Sequence, residues 1–167
     1  MADLIIRPAT EADLEAVGAV TVEAYTADGF VGAHDDYASI LADAASRFRD
    51  AELIVAQDDE SGTVLGSVTV VRPGTPYAEI SRPGELEFRM LAVTAAARGR
   101  GVGETLVRAV IDKAREAGAT HVVLSSSEKM LAAHRLYERL GFTRLPDRDW
   151  SPLPGFQLVA YAYGIPL

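Results

Sequence analysis

The chain has 167 residues, 49% of them hydrophobic, so it has the length of one ordinary domain and can bury a core. Cysteine is absent, which excludes disulfides, thiolate metal ligands and a covalent cysteine intermediate, and we expect a cytoplasmic protein. The net charge of −8 argues against nucleic acid and an anionic membrane as partners, and we expect neither a signal peptide nor a membrane-spanning helix.

The first half of the chain predicts a short strand, two helices separated by a loop, and a hairpin. A first strand from Leu4 to Arg7 is closed by Pro8. Thr10, with an acid three residues on, is a capping-box variant that begins a helix extending to about Tyr25. The next predicted elements are a loop (26–36), a helix (37–48), two hairpin strands (52–57 with 64–71) and a proline-rich loop (72–83).

The second half predicts strands that alternate with helices. The elements are a strand (85–93), a strongly amphipathic helix (102–117), a short buried strand (121–124), a helix (130–140), a strand (142–145), a proline-rich loop (146–155) and a last strand (156–163). Strand–helix–strand units indicate parallel pairing, and hairpins indicate antiparallel pairing. We therefore predict an α/β fold in a single domain, with a mixed central sheet of about six or seven strands flanked by about four helices.

A glycine-rich turn follows the strand 85–93. Its glycines stand at alternate positions: Gly99, Gly101 and Gly103. Glycine can take positive φ and lets a ligand approach the main chain closely. The helix that begins at Val102 adds unsatisfied N–H groups and the positive end of its dipole, and Arg98 and Arg100 add two positive charges. The turn therefore predicts an anion site, most often one for phosphate.

Two common phosphate motifs do not fit this turn. A dinucleotide site needs G-x-G-x-x-G with an acidic residue about 20 positions on. Here Glu104 stands where the third glycine should be, and the next strand leads into three serines, Ser125 to Ser127, rather than an acid. A nucleotide P-loop needs G-K-[ST], and the turn has no such lysine.

The pattern that fits is R-x-x-G-x-G, filled by Arg98, Gly101 and Gly103. It resembles the pyrophosphate-binding motif of the GCN5-related N-acetyltransferase (GNAT) superfamily, which binds acetyl-CoA. The stretch from Ala133 to Phe142 resembles that superfamily's second signature, A-x-x-L-Y-x-x-x-G-F. The resemblance implies a single GNAT domain over residues 1–167. The acceptor is not indicated by either signature.

The resemblance also implies which residues hold acetyl-CoA. The N–H groups of the glycine turn and the Thr105 hydroxyl would bind the pyrophosphate, and the end of the preceding strand would pair with the pantetheine arm. These cofactor-binding residues are Leu91, Ala92, Val93, Arg98, Gly99, Arg100, Gly101, Val102, Gly103, Glu104 and Thr105. One departure stands at Met130, where many members carry a pantetheine-binding Asn. That contact is lost here or supplied by Ser125 to Ser127.

Two residues are predicted to be catalytic, each with a structural alternative. Glu87 stands eleven residues before Arg98, at the place of the general-base glutamate in histone-acetylating members of the superfamily. Its alternative is a polar-face residue paired with Arg89 or Arg72. Tyr137 matches the signature tyrosine, which in the family protonates the CoA sulfur. Its alternative is an aromatic ring in the core with its hydroxyl at the edge.

The acceptor is predicted to bind between the loops 26–36 and 146–155. Phe30 and Trp150 are the predicted substrate-binding residues, because aromatic rings and nearby aspartates suit a cationic amine. The alternative is that these rings complete the core. The histidines have no metal-ligand spacing, so we expect no metal.

We predict an acetyl-CoA-dependent N-acetyltransferase that acts on a primary amine of a small molecule, a lysine or a polypeptide N-terminus, through a ternary complex. A homodimer is compatible with the sequence, which does not specify the oligomeric state. Two alternatives remain: an acyl-CoA-binding sensor with the same fold, and a dinucleotide-dependent oxidoreductase, which Glu104 and the missing acid disfavour.

Overall fold

The computed structural model describes residues 3–27 and 37–166, which form a mixed α/β fold. The strands described are β1 (Leu4–Pro8), β2 (Glu52–Asp58), β3 (Val64–Val71), β4 (Glu85–Val93), β5 (His121–Ser127), β6 (Thr143–Arg144), β7 (Trp150–Leu153) and β8 (Phe156–Gly164). The α-helices described are α1 (Leu14–Ala27), α2 (Tyr37–Ala42), α3 (Ala44–Asp50), α4 (Val102–Glu116) and α5 (Leu131–Leu140). The predicted fold class is confirmed, with slightly more strands and helices than expected.

Contacts divide the chain into two compact units. The first unit comprises Met1–Val70 with Met90–Ala109, and the second comprises Val71–Arg89 with Val110–Leu167. Strand β4 and helix α4 each contribute residues to both units. The prediction of one domain over residues 1–167 stays a prediction.

The first unit is built on an antiparallel sheet. Strand β1 pairs with β2, with Leu4 opposite Asp58, and β2 pairs with β3, with Glu52 opposite Val70. The predicted hairpin is therefore confirmed. Helix α1 lies close to the end of α2, because a Cβ on Gly18 would stand 2.4 Å from the Ala42 carbonyl oxygen. The core holds fully buried aliphatic side chains, among them Val17, Leu41, Val55, Val68 and Leu106.

The second unit combines parallel and antiparallel pairing. The start of β4 runs parallel to β5, with Glu85 opposite His121, and β8 runs antiparallel to β5, with Gly164 opposite the same histidine. Strands β6 and β7 both pair with β8. The core combines aliphatic and aromatic side chains: Leu86, Phe88, Val122, Val123, Tyr137 and Phe142.

The single helix predicted over residues 37–48 is wrong. The Asp43 carboxylate accepts the Ser46 N–H at 3.0 Å and so caps a new helix, α3. The apolar spacing of Ile40, Leu41, Ala44 and Phe48 continues through this break, which concealed it.

Three boundaries near the end of the chain also differ from the prediction. Strand β5 continues to Ser127 rather than ending at Leu124, and β6 is shorter than the predicted 142–145. Part of the predicted loop 146–155 is strand β7. Within the ranges that the structure covers, no helix has the length and apolarity needed to cross a bilayer.

Candidate functional site

The glycine turn has the backbone geometry that an anion site requires. Gly99 and Gly101 have φ values of 85° and 74°, and a Cβ built on either would meet no atom within 4 Å. The Gly101 carbonyl accepts both the Thr105 N–H, at 3.0 Å, and the Thr105 hydroxyl, at 2.8 Å. The N–H groups of 102–104 precede this first helical bond, so the helix itself gives them no acceptor. The turn therefore combines open space at two glycines with main-chain donors at the start of α4.

The arginines of the turn differ from the prediction in their contacts. The main-chain N–H groups of Arg98 and Arg100 both donate inside the turn, to Ala95 and Ala97, at 3.2 Å. The Arg100 guanidinium lies 2.9 Å from the Asp58 carboxylate. Hydrogen bonding from the Ser61 N–H and then from Arg100 lowers the pKa of Asp58 to about 2. Part of the predicted positive charge is therefore balanced within the protein.

Glu23 of α1 supports the same turn, and the sequence did not reveal it. Its carboxylate accepts the Ala95 N–H at 2.8 Å and the Thr94 hydroxyl at 2.9 Å. These bonds, the Ala95 bond first, lower the pKa of Glu23. No local pattern connects residues 72 positions apart, so the contact follows only from the fold.

Strand β4 leads into the turn and carries an unusual backbone conformation. Met90 has a φ of 55°, and it is the one non-glycine residue with positive φ in the ranges 3–27 and 37–166. Such strain is concentrated at functional sites in proteins. Of the predicted pantetheine-pairing residues that follow, Leu91 and Val93 are half-buried and Ala92 is buried.

The ring of Tyr137 lies in the core of the second unit. It packs 5.8 Å from the Phe88 ring and 5.9 Å from the rings of Phe142 and Tyr161. Burial raises the pKa of the Tyr137 hydroxyl well above its usual range. The hydroxyl therefore stays protonated near neutral pH, and its role as proton donor remains a prediction.

The Glu87 carboxylate is fully buried beneath the loop before β4. It accepts the N–H groups of Glu79, Ile80 and Ser81 at 3.0, 3.3 and 3.1 Å and the Ser81 hydroxyl at 2.8 Å. Arg89, one of the partners considered for Glu87, forms an ion pair with Glu79 at 3.2 Å. Whether Glu87 takes a proton remains a prediction, but the structure assigns it a clear part in holding the loop.

The three serines at the end of β5 each have a hydrogen-bond partner. Ser125 accepts the Trp150 indole N–H at 3.2 Å, and Ser127 accepts the Lys129 N–H at 3.3 Å. Nε2 of His134 lies 3.2 Å from the Ser126 hydroxyl. His134 is half-buried, and burial lowers its pKa.

Of the two residues predicted to bind the acceptor amine, the structure describes one. Phe30 lies outside the described residues. Trp150 begins β7, and next to it Asp149 forms an ion pair with Arg144 while Arg148 binds Glu85 at 2.5 and 2.9 Å. Ion pairs therefore hold the segment before β7, and a role for Trp150 in binding the acceptor remains a prediction. Among the residues that the structure describes, no three His, Asp or Glu side chains are grouped as metal ligands.

Comparison with known proteins gives the chain a family. A model of the Acetyltransferase (GNAT) family matches residues 19–142. N-acetyltransferase 8B of Rattus norvegicus is 34% identical over 141 residues, which cover 80% of this chain and 59% of the relative. N-acetylaspartate synthetase of Danio rerio is 39% identical over 70 residues, 42% of this chain and 25% of the relative. The chain thus spans between a quarter and three fifths of these two curated relatives.

Two solved structures share the fold over nearly the whole chain. A GCN5-related N-acetyltransferase from Kribbella flavida has 30% identity and a TM-score of 0.69, and the match covers 97% of this chain and 98% of that one. The yncA protein of Salmonella typhimurium, solved with its cofactor acetyl-CoA, has 23% identity and a TM-score of 0.67. That match covers 98% of this chain and 95% of the other.

Proposed function

The chain belongs to the acetyltransferase (GNAT) family of acyl-CoA-dependent enzymes, and we propose that it transfers the acetyl group of acetyl-CoA to a primary amine. The amine belongs to a small molecule, a lysine side chain or a polypeptide N-terminus. The observation that carries the proposal is the glycine turn, where open space at Gly99 and Gly101 immediately precedes the first N–H groups of α4 along the chain.

The same turn provides the fit for the donor. The N–H groups of 102–104, at the positive end of the α4 dipole, suit a pyrophosphate. Arg98 lies exposed on the turn and adds positive charge. The half-buried Leu91 and Val93 suit pairing of their main chain with the amides of a pantetheine arm, as in strand addition. Ser125 to Ser127 are the residues proposed in place of the usual Asn at Met130.

Transfer needs three contributions from the protein. Bound acetyl-CoA would supply the thioester carbonyl that the amine attacks. The amine must lose a proton, because the pKa of a lysine-like amine is about 10.4. The carbonyl oxygen needs a hydrogen-bond donor, for which main-chain N–H groups beside the strained Met90 are candidates. We assign the Tyr137 hydroxyl to the departing sulfur, because Tyr137 matches the tyrosine of the second signature.

A cationic acceptor fits the charge of the chain. The net charge is −8, and the segment around Trp150 contains Asp147 as well as Asp149, which is ion-paired with Arg144. An aromatic face and carboxylates together attract an ammonium group. We therefore favour a small amine or a lysine-like acceptor, with Phe30 and Trp150 as the proposed contacts. A cytoplasmic location and the absence of nucleic-acid and membrane partners belong to the same proposal.

An acyl-CoA sensor with the same fold is the second candidate. Release of CoA thiol distinguishes it from an enzyme. Acetyl-CoA and the protein are incubated with one amine in each reaction. The amines are lysine amide, 2-phenylethylamine, spermidine and a peptide with an N-terminal alanine. The proposal predicts thiol release that depends on one of these amines. Binding of acetyl-CoA without thiol release from any of them favours the sensor.

A further inference from the structure

Helix α1 and the glycine turn, both in the first unit, are joined by one carboxylate. Glu23 accepts the Ala95 N–H at 2.8 Å and the Thr94 hydroxyl at 2.9 Å. Thr94 and Ala95 directly follow β4, which ends at Val93, and they precede the glycines. The two bonds therefore act on the short segment that connects the proposed pantetheine-binding strand with the proposed pyrophosphate-binding turn.

Glu23 takes the place of a local helix cap. Residues 95–97 form a single turn of 3₁₀-helix, and Thr94 stands at its N-cap position, but the Thr94 side chain does not cap that turn. Its hydroxyl donates to Glu23 instead. The first N–H groups of a helix have no acceptor within the helix and need one from outside it. For Ala95 this acceptor comes from another helix, 72 residues earlier in the chain.

Both residues that Glu23 holds also support the main chain that follows them. The Ala95 carbonyl accepts the Arg98 N–H at 3.2 Å, and the Thr94 carbonyl accepts the Ala97 N–H at 3.0 Å. Arg98 stands directly before the first glycine of the turn, where the main chain takes positive φ. The position of Ala95 therefore determines where the positive-φ part of the turn begins.

A second carboxylate contacts the turn in a different way. Asp58 accepts from the Arg100 guanidinium at 2.9 Å, so it holds a side chain, whereas Glu23 holds the main chain. Each carboxylate places a negative charge beside the proposed pyrophosphate site, and that charge by itself repels an anionic cofactor. Loss of either charge should therefore favour binding, and only the loss of a main-chain contact should oppose it. The two carboxylates allow the effect of position to be separated from the effect of charge.

From these contacts we propose that Glu23 is a positioning residue for acetyl-CoA, which holds the main chain of 94–95 so that the glycine turn presents its N–H groups to the pyrophosphate. The inference rests on the proposed function, because it takes the glycine turn as the cofactor site. A site that already has its binding geometry loses less conformational freedom when the ligand binds. Glu23 therefore contributes to affinity for the cofactor without touching it.

The test is the Kd of acetyl-CoA, measured by calorimetric titration of the whole chain in wild type and four variants. The variants are Glu23→Ala, Glu23→Gln, Asp58→Asn and Glu15→Ala. Glu15 lies exposed two turns earlier on α1, so its substitution is the matched control for a negative charge lost from that helix. Alanine and glutamine both favour helix, so α1 should be retained in each variant, which circular dichroism verifies.

We expect Glu23→Ala to raise the Kd by about three- to tenfold, because it removes two charge-assisted hydrogen bonds. Glu23→Gln keeps one side-chain oxygen that can accept the Ala95 N–H, so its Kd should rise less. Asp58→Asn and Glu15→Ala should bind acetyl-CoA at least as tightly as wild type. Each removes a negative charge and leaves the bonds of Glu23 in place.

Two further measurements separate positioning of the turn from a general loss of structure. With the amine of the panel that reacts fastest, Glu23→Ala should raise the KM of acetyl-CoA and leave the KM of the amine near its wild-type value. Amide hydrogen exchange should become faster at Ala95 and Arg98, whose N–H groups depend on Glu23 directly or through one bond. Exchange in the pairing of β1 with β2, in the same unit, should stay unchanged.

A Kd for Glu23→Ala equal to that of Glu15→Ala would contradict the proposal, as would an equal rise in both KM values. If Glu23→Ala does not fold, Glu23→Gln decides by the same comparison. The proposed transfer can fail separately, because a protein that releases no thiol with any amine can still show the difference in Kd. Equal Kd values in an active enzyme overturn only the role of Glu23.

Discussion

At the residue scale, a substitution at Tyr137 can distinguish the proposed proton-donor role of its hydroxyl from the packing role of its ring. Tyr137→Phe removes only the hydroxyl and keeps the ring among Phe88, Phe142 and Tyr161. We expect kcat to fall by roughly 10²-fold while the Kd of acetyl-CoA stays unchanged, because the lost interaction forms only in the transition state. Steady-state kinetics and calorimetric titration measure the two quantities.

Tyr161→Phe is the control for that substitution. The Tyr161 hydroxyl donates to Glu138 at 3.1 Å, and its ring lies beside the same cluster. Its kcat should stay near that of wild type. Equal losses in the two variants would mean that the hydroxyls matter for packing and that Tyr137 is not the donor.

Asp13 gives a prediction about stability and pH. Its carboxylate binds Arg7 at 2.7 Å and the Thr10 N–H at 2.7 Å, and the Arg7 bond, ahead of other causes, lowers its pKa far below the usual value. A carboxyl group whose folded-state pKa is lowered stabilises the fold above its unfolded pKa, near 4, and this stabilisation is lost as the pH falls through the folded value.

Asp13→Asn should therefore reduce the free energy of unfolding by about 1–3 kcal/mol at pH 7, and the difference from wild type should shrink as the pH falls from about 5 to 2. Urea denaturation at several pH values measures it. Asp112→Asn removes an exposed pair with Arg115 and should cost well under 1 kcal/mol. A pH-independent difference for Asp13→Asn would contradict the account.

How well the sequence predicts the contacts of a residue depends on how far apart the two partners lie along the chain. The Thr10–Asp13 pairing was predicted because both partners lie in one turn of helix. The donors to Glu87 come from a loop whose path no periodicity describes, and the bond from Ala95 to Glu23 joins distant segments. Such contacts exist only once the chain has folded, so the sequence could not predict them.

At the scale of elements, the glycine turn predicts a loss of acetyl-CoA affinity in Gly101→Asp. The substitution places a negative charge in the open space before α4, where the pyrophosphate is proposed to bind. We expect the Kd to rise by about tenfold or more, which corresponds to ~1.4 kcal/mol. Calorimetric titration of the folded variant with acetyl-CoA measures it.

Gly118→Asp is a closely matched control. Gly118 has the same φ of 74°, and a Cβ there would also meet no atom within 4 Å, but it follows the other end of α4. The backbone strain and the added charge are therefore alike, and only the place differs. A Gly101→Asp variant that binds acetyl-CoA as tightly as Gly118→Asp does would move the pyrophosphate elsewhere.

Most elements were predictable because their periodicity is strong, and the misses have identifiable causes. The end of β5 consists of serines, which seldom extend strands, but pairing with Leu158, Val159 and Ala160 of β8 overrides this preference. Strand β7 contains Pro152, which argues against a strand in sequence, yet β7 pairs only with β8 in the described topology. In both segments the strand forms because it pairs with β8 in the folded protein, and this pairing is not visible in the sequence.

At the scale of the whole molecule, the order of elements and two signatures were enough to predict the family and the fold. The acceptor was not predictable, because the residues proposed to contact it lie in connecting segments whose lengths and conformations vary among proteins of one fold. Phe30 and Trp150 illustrate this, since one lies outside the described residues and the other begins a strand that was predicted as loop.

The central claim, transfer of an acetyl group to an amine, is tested most directly by following the group itself. Acetyl-CoA carrying ¹³C in its acetyl group is incubated with the protein and each amine of the panel, and the acetamide product and the free CoA thiol are quantified by NMR. The account predicts acetamide and thiol in equal amounts with at least one amine, and a strongly reduced yield with Tyr137→Phe. Thiol with free acetate but no acetamide, or neither product, would contradict it.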